Sequence, residues 1–206
     1  MRARSPPELE VEMPRQRERK TRLPKTKSPE EWAAFFDAID TRYPTQVRNA
    51  AALRLMYAVG LRVGEAVQLS VKDFDEALMR IHVRNGKTGE RIVPMPSNQA
   101  LFDSMSAWLE VRSRWNPDSD LLFVTKPGKP LSTNAVRESM KVYAERAGIG
   151  HASCHQLRHS CATELLAAGA QPIGVQRVLG HSRLSTTLDI YASAADCHAR
   201  EAMNKR

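Results

Sequence analysis

The sequence predicts a mostly helical domain with one small antiparallel β-sheet, an α+β fold. Apolar residues recur over most of the chain with the 3.6-residue period of amphipathic helices. Residues 79–84 differ, because they alternate apolar and basic side chains as a half-exposed strand does. With 206 residues and a hydrophobic fraction of 42%, the chain suits one ordinary domain with a real core and a tail.

The helices are placed by their caps and their apolar spacing. Residues 28–31, Ser-Pro-Glu-Glu, have the capping-box form with proline at the first helical position. The apolar residues that follow have helical spacing: Trp32, Phe35, Phe36 and Ile39. Further helices are predicted over 45–58, 100–114, 133–147, 155–168 and 172–179, and a last one begins near Ser185 and carries Tyr191.

Two candidate functional residues lie at predicted turns. Gly60 ends the second helix, so Arg62 is expected at a tight helix-to-helix junction. Asn85-Gly86 is typical of a hairpin turn, and residues 91–94 are the predicted return strand. Lys87 is therefore expected at or near the tip of a β-hairpin.

The charge of the chain favours a polyanionic partner. The formal net charge is +8 at pH 7, which suits nucleic acid or an anionic membrane surface. No apolar run has membrane-spanning length, and the N-terminus is charged and proline-rich rather than signal-like. Three cysteines, Cys154, Cys161 and Cys197, show no disulfide spacing and fit a reducing interior. We expect a cytoplasmic protein that does not act at a membrane.

Residues 1–27 are predicted to be a flexible basic extension, and residues 28–206 the main domain, with a C-terminal tail at 192–206. The extension has nine Lys or Arg residues against four glutamates and few large apolar side chains. A DNA-tracking arm and a solvated tail explain this composition equally well.

Six separated residues form one candidate active site for breaking and rejoining a nucleic-acid backbone: Arg62, Lys87, His155, Arg158, His181 and Tyr191. The two arginines suit a phosphate because a guanidinium donates two parallel hydrogen bonds and keeps its charge. The tyrosine is a candidate nucleophile that needs nearby cations or a base, since its ordinary pKa is about 10. The lysine is a candidate general acid for the leaving alcohol.

No cofactor or metal is expected. Gly86-Lys87-Thr88 resembles the end of a phosphate-binding P-loop, but Ile81 stands where that pattern needs glycine. Zinc is not favoured either, since Cys154 and His155 are adjacent and point apart on a helix, and no second ligand cluster exists in the sequence.

The order and contexts of these motifs resemble the catalytic domain of the tyrosine recombinases, the phage integrase and Xer family, from about Leu23 to the C-terminus. The matching segments are Gly-Leu-Arg-Val-Gly-Glu at 60–65, His-Gln-Leu-Arg-His at 155–159, and Leu-Gly-His at 179–181 followed by Tyr191. The resemblance implies the family's catalytic fold, a supporting role for Glu65, and attack on double-stranded DNA that leaves a 3′-phosphotyrosyl link. It also implies strand exchange within a homo-tetramer, without ATP or metal.

Family members generally carry an N-terminal core-binding domain, whereas only about 27 basic residues precede the matching region here. A short member, a fragment and a decayed copy all remain open. Type IB topoisomerase-like relaxation and a non-catalytic DNA-binding regulator are the alternative functions. Candidate DNA contacts are spread along the chain: Arg84, Arg91, Lys72, Arg137, Lys141 and Arg177. Any accessory proteins are not indicated by the sequence.

Overall fold

The computed structural model describes residues 26–87, 89–185, 187, 188, 190 and 192. Its helices are α1 (Pro29–Asp37), α2 (Pro44–Val59), α3 (Val63–Ala66), α4 (Gln99–Trp115), α5 (Thr133–Arg146), α6 (Cys154–Ala167) and α7 (Pro172–Leu179). Its strands are β1 (Phe74–Asp75), β2 (Arg80–Val83) and β3 (Arg91–Pro94), preceded by a 3₁₀ turn at Val71–Asp73. The predicted α+β class, mostly helical with a small antiparallel sheet, is confirmed.

Helix α1 begins at the predicted capping box. The Ser28 hydroxyl accepts a hydrogen bond from the Glu31 backbone N–H at 3.2 Å, and the Glu31 carboxylate accepts one from the Ser28 N–H at 2.8 Å. The aromatic face of this helix is buried, and the Trp32 indole donates to the hydroxyl of Ser160 on α6 at 2.7 Å. These residues therefore anchor α1 to the helix that carries two candidate catalytic residues.

Helix α2 runs through the centre of the main core. Leu53, Leu55 and Met56 are fully buried, and the helix packs against α4 and α6. Its bounds differ from the predicted 45–58 by one residue at each end. Because α2 is held on two sides, its C-terminal end is a fixed point for the site described below.

The sheet has the order β1-β2-β3, with both pairs antiparallel. Ile81 and Val83 of β2 are buried while Arg80 and His82 are partly exposed, which confirms the predicted alternation. The sequence did not predict β1, which is two residues long. The Asn85-Gly86 pair lies within a longer connection from residue 84 to residue 90.

A second, smaller apolar cluster joins α6, α7 and the following segment through Cys161, Leu166, Val175, Leu179 and Ile190. Residues 184, 185, 187, 188, 190 and 192 are helical, in agreement with the predicted last helix. Residues 1–25 of the predicted extension, and all of the predicted tail except residue 192, lie outside the described residues. None of the described helices is both long and apolar enough to cross a membrane.

Candidate active site

Four of the six predicted catalytic residues line one cavity of about 580 Å³: Arg62, His155, Arg158 and His181. They come from the start of α3, from α6 and from the segment after α7. The rim of the cavity adds further basic side chains, Arg137 and Lys141 of α5 and His151 of the α5–α6 connection. The cavity therefore gathers positive charge and imidazole groups from distant parts of the sequence.

Arg62 is placed by the sharp connection between α2 and α3. Gly60 ends α2 in the left-handed conformation with φ +65°, and Arg62 is the N-cap of α3. A β-carbon on Gly60 would lie 2.3 Å from the Cδ2 atom of the buried Leu179, so a side chain here would force Leu179 to shift as well as strain the backbone. The predicted helix-to-helix junction at Arg62 is confirmed.

Arg158 is buried, with 4% of its surface exposed. Its Nη1 atom donates to the Gly60 carbonyl at 2.6 Å, and its Nη2 atom donates to the Leu179 carbonyl. These carbonyls lie at the C-terminal ends of α2 and α7, where the helix dipole favours a cation. Burial and the neighbouring Arg62 lower the pKa of Arg158 to about 10, so the guanidinium remains charged at neutral pH.

The Arg62 guanidinium reaches the same end of α7. Its Nη2 atom donates to the Gly180 carbonyl at 2.8 Å, and its Nη1 atom donates to the Glu65 carboxylate at 2.9 Å. The two arginines are thus fixed by adjacent carbonyls, those of Leu179 and Gly180. Fixed guanidiniums do not need to reorganise when they bind an oxyanion.

Glu65 is a buried carboxylate that lies directly behind Arg62. It accepts hydrogen bonds at 2.9 Å from the backbone N–H and Nη1 atom of Arg62 and from both Nη atoms of Arg91. Burial by itself would raise the pKa of Glu65, but the bonds from Arg91 and Arg62 lower it to about 2. The supporting role of Glu65 stays a prediction. Its contacts with the backbone and side chain of Arg62 are compatible with that role.

Both candidate catalytic histidines have depressed pKa values. Burial lowers the pKa of His181 to about 4, and the charges of Arg158 and Arg62 lower it further in the same direction. Burial also lowers the pKa of His155, and the charges of Arg158 and Arg62 add to that shift. The His181 Nδ1 atom lies 3.0 Å from the Thr187 hydroxyl. Both imidazoles are therefore neutral at pH 7, and His155 is able to accept a proton.

The structure does not bring Lys87 into the lining of this cavity. Lys87 is exposed on the connection between β2 and β3, as the sequence predicted for a hairpin-tip residue. Tyr191 lies outside the described residues, although the preceding Ile190 is buried in the second apolar cluster. The catalytic roles of Lys87 and Tyr191 stay predictions.

The six candidate DNA contacts have different surroundings. Arg137 and Lys141 line the cavity, and Lys72 and Arg177 are exposed. Arg84 donates to the buried Asp73 carboxylate at 2.7 Å. Arg91 is engaged inside the protein, with the Glu65 carboxylate and the Val178 carbonyl. The DNA-binding predictions remain open, and these contacts favour a structural role for Arg91.

Sequence reasoning missed His151 and the internal role of Arg91. A histidine in a polar connection has no local pattern that separates it from a solvated residue. Arg91 alternates with apolar residues as any strand residue does, so its partner Glu65, 26 positions earlier, is visible only in the fold. Within the described part of the chain, no group of three His, Cys, Asp or Glu side chains is arranged to hold a metal ion.

The sequence profile of the phage integrase family matches residues 26–198. The tyrosine recombinase XerC of Haemophilus ducreyi is 37% identical over 166 residues, which cover 80% of this chain and 54% of that protein. The XerC of Corynebacterium glutamicum is 35% identical over 186 residues, which cover 89% of this chain and 59% of that protein. The chain thus spans a little over half the length of the curated relatives it matches.

Solved structures show the same fold. The crystal structure of XerA recombinase superposes with a TM-score of 0.76 at 26% identity, covering 91% of this chain and 66% of that one. The XerH site-specific recombinase, bound to its palindromic difH substrate after cleavage, superposes with a TM-score of 0.75 at 28% identity. That match covers 88% of this chain and 53% of XerH.

Proposed function

Because the chain belongs to the phage integrase family, we propose that it is a site-specific DNA recombinase that uses Tyr191 as nucleophile. The observation that carries the proposal is the single cavity shared by Arg62, Arg158, His155 and His181. Two fixed guanidiniums and two imidazoles form a set suited to a phosphodiester whose negative charge increases in the transition state.

The proposed reaction is a transesterification without ATP or metal. The Tyr191 oxygen attacks the phosphorus and loses its proton to a base, for which neutral His155 is suited. The bond between phosphorus and the 5′ oxygen breaks, and Lys87 supplies a proton to that oxygen. The products are a 3′-phosphotyrosyl link and a free 5′-hydroxyl. The reverse reaction with another 5′-hydroxyl rejoins the strands.

The arginines bind the non-bridging oxygens in this proposal. A guanidinium has five N–H donors, and the two carbonyl bonds of Arg158 use two of them. His181, held by Thr187, donates a further hydrogen bond to the same phosphate when its tautomer places the proton on Nε2. Lys87 would have to approach from its exposed turn when DNA is bound, since it does not line the cavity of the free protein.

Double-stranded DNA is the proposed partner, and four subunits on DNA the proposed assembly. The net charge of +8 and the basic rim formed by Arg137, Lys141 and His151 support binding to a polyanion. Solved relatives that share the fold are named as recombinases bound to DNA substrates, XerH among them. DNA as substrate also supports a cytoplasmic setting.

A covalent-trapping assay tests the proposed function. The protein is incubated with nicked duplexes from DNA that flanks its own gene and is then run on a denaturing gel. We expect a protein–DNA band that Tyr191→Phe removes while salt-sensitive binding persists. Tyr43→Phe is a matched control, because Tyr43 is an exposed tyrosine at the start of α2, and it should leave the band intact.

Other results would point to the alternatives. Binding without any covalent band would contradict the proposal and favour a non-catalytic DNA-binding regulator. A covalent band with relaxation of supercoiled plasmid, but no strand exchange between duplexes, would favour a topoisomerase-like activity instead.

A further inference from the structure

We propose that Arg91 is a positioning residue that holds three catalytic segments together: the Arg62 junction, the His181 segment and the turn that carries Lys87. This inference rests on the proposed function for its catalytic consequence.

The first contact is a bidentate salt bridge with Glu65. The Nη1 and Nη2 atoms of Arg91 each donate to a different carboxylate oxygen at 2.9 Å. The side chains are 10% and 4% exposed, so solvent screens the pair weakly. The same carboxylate binds the backbone N–H and the guanidinium of Arg62. The position of Arg62 therefore depends on a carboxylate that Arg91 fixes from the other side.

The second contact is with the C-terminal end of α7. The Nε atom of Arg91 donates to the Val178 carbonyl at 2.9 Å. The next carbonyls, those of Leu179 and Gly180, accept from Arg158 and Arg62. Three consecutive carbonyls thus bind three arginines from three different elements, immediately before His181. The last carbonyls of a helix lack hydrogen-bond donors within the helix, and here arginine side chains are the donors.

The third contact is with the turn between β2 and β3. A β-carbon on Gly86 would lie 2.9 Å from the Nη1 atom of Arg91 and 3.5 Å from the Oε1 atom of Glu65. The backbone that leads into Lys87 therefore lies against the ion pair. The nearest atom to such a β-carbon is the Gly89 carbonyl oxygen of the same turn, at 2.5 Å, so the fold of the turn itself also favours glycine here.

Arginine suits this position better than lysine. Its planar group presents Nε, Nη1 and Nη2 in fixed directions, toward Val178 and the two oxygens of Glu65. An ammonium group keeps the charge but lacks this planar fork of donors. Arg91→Lys therefore separates the effect of the geometry from the effect of the charge.

Hydrogen exchange of the protein without DNA tests the structural part. We compare Arg91→Lys and Arg91→Met with Arg114→Met, which removes an exposed arginine paired with Glu110 on α4. The Arg91 variants should exchange faster in peptides that cover the Lys87 turn and in peptides that cover residues 178–183, whereas Arg114→Met should not. Unchanged exchange in either segment of both Arg91 variants overturns the inference.

Cleavage of a nicked duplex tests the catalytic part. The duplex carries either an ordinary 5′ oxygen or a bridging 5′ sulfur at the scissile phosphate. Arg91→Lys should slow the single-turnover cleavage of the oxygen substrate on the order of 100-fold at saturating protein, with little change in DNA affinity. The sulfur substrate should restore part of the rate, because a thiolate leaves without a proton and so bypasses a displaced Lys87.

A normal cleavage rate in Arg91→Lys would contradict the coupling to Lys87. The coupling would also be contradicted if Arg91→Lys slowed cleavage of the oxygen and sulfur substrates equally. If an Arg91 variant does not fold, Glu65→Gln is the second variant, because it removes the charge that pairs with Arg91 while Arg91 remains, and it should speed exchange in the same two segments. Absence of a covalent complex with the unsubstituted protein would count against the proposed function alone, and the exchange experiment would still decide whether Arg91 couples the segments.

Discussion

The Nη1 atom of Arg158 lies 2.6 Å from the carbonyl oxygen of Gly60, 98 residues earlier in the chain. This hydrogen bond ties α6 to the end of α2, and the second bond of the same guanidinium ties α6 to the end of α7. The candidate catalytic arginine is therefore also a structural connection between three helices. Substitutions of Arg158 should affect chemistry and stability together.

Arg158→Met should reduce cleavage and lower the free energy of unfolding. Loss of one preorganised donor to an oxyanion costs roughly 100- to 1,000-fold in rate. The Gly60 and Leu179 carbonyls also lose their buried donor, at a cost of about 1–3 kcal/mol. Single-turnover cleavage and urea unfolding measure the two effects. A variant with full stability and lost cleavage would show that the carbonyl bonds contribute little to folding.

Gly60→Ala should destabilise the protein by about 1–3 kcal/mol, because it strains a left-handed residue and places a methyl group against Leu179. Gly64→Ala is the matched control. Nothing lies within 4 Å of a β-carbon at Gly64, which is part of α3, so that change should be neutral or slightly stabilising. Thermal unfolding of both variants measures the difference. Equal melting temperatures would show that the α2–α3 junction tolerates a side chain.

Glu65 should make the stability of the protein depend on pH between about 4.5 and 2. Its pKa in the folded state, about 2, lies below the ordinary 4.5, so its stabilisation is present above pH 4.5 and is lost as the pH falls toward 2. The shift corresponds to about 3 kcal/mol at neutral pH. In urea unfolding, the difference between the unsubstituted protein and Glu65→Gln should shrink over that window. A constant difference would mean that the carboxylate charge is not the stabilising feature.

Arg137 and Lys141 should contribute to DNA affinity through phosphate contacts. Both line the cavity from α5, where Arg137 donates to the half-buried Thr133 and Lys141 to the exposed Glu138. Removal of either side chain should reduce the slope of log affinity against log salt by about 1. Fluorescence anisotropy across a salt series measures this slope. Arg114→Ala serves as the control, and an equal effect there would indicate net charge rather than a local contact.

The sequence was sufficient to predict the elements that have local patterns. The capping box at Ser28, the helix end at Gly60 and the alternation around Ile81 each depend on a few neighbouring residues, and all three appear in the structure. The strand β1 was missed because two residues are too few to show a period. Its pairing with β2 is decided by the fold.

The sequence indicated which residues to compare in the candidate site, but it did not indicate their contacts with one another. Arg62, His155, Arg158 and His181 share a cavity as the motifs indicated. The hydrogen bonds from arginines to helix-end carbonyls were not predictable. Every residue has a backbone carbonyl, and only the fold determines which carbonyls face an arginine side chain. For the same reason, the contact of Arg91 with Glu65 was not predicted, and the DNA contact that was predicted for Arg91 stays a prediction.

The three arginines bound to the carbonyls of residues 178–180 have a consequence for synthesis of the chain. Arg62 can form its bond only after a residue 118 positions downstream has been synthesised. Arg91 needs a residue 87 positions downstream. While residues 178–180 are still inside the ribosome, Arg62, Arg91 and Arg158 lack their contacts with these three carbonyls. The proposed active site is therefore complete only after nearly the whole domain has emerged from the ribosome.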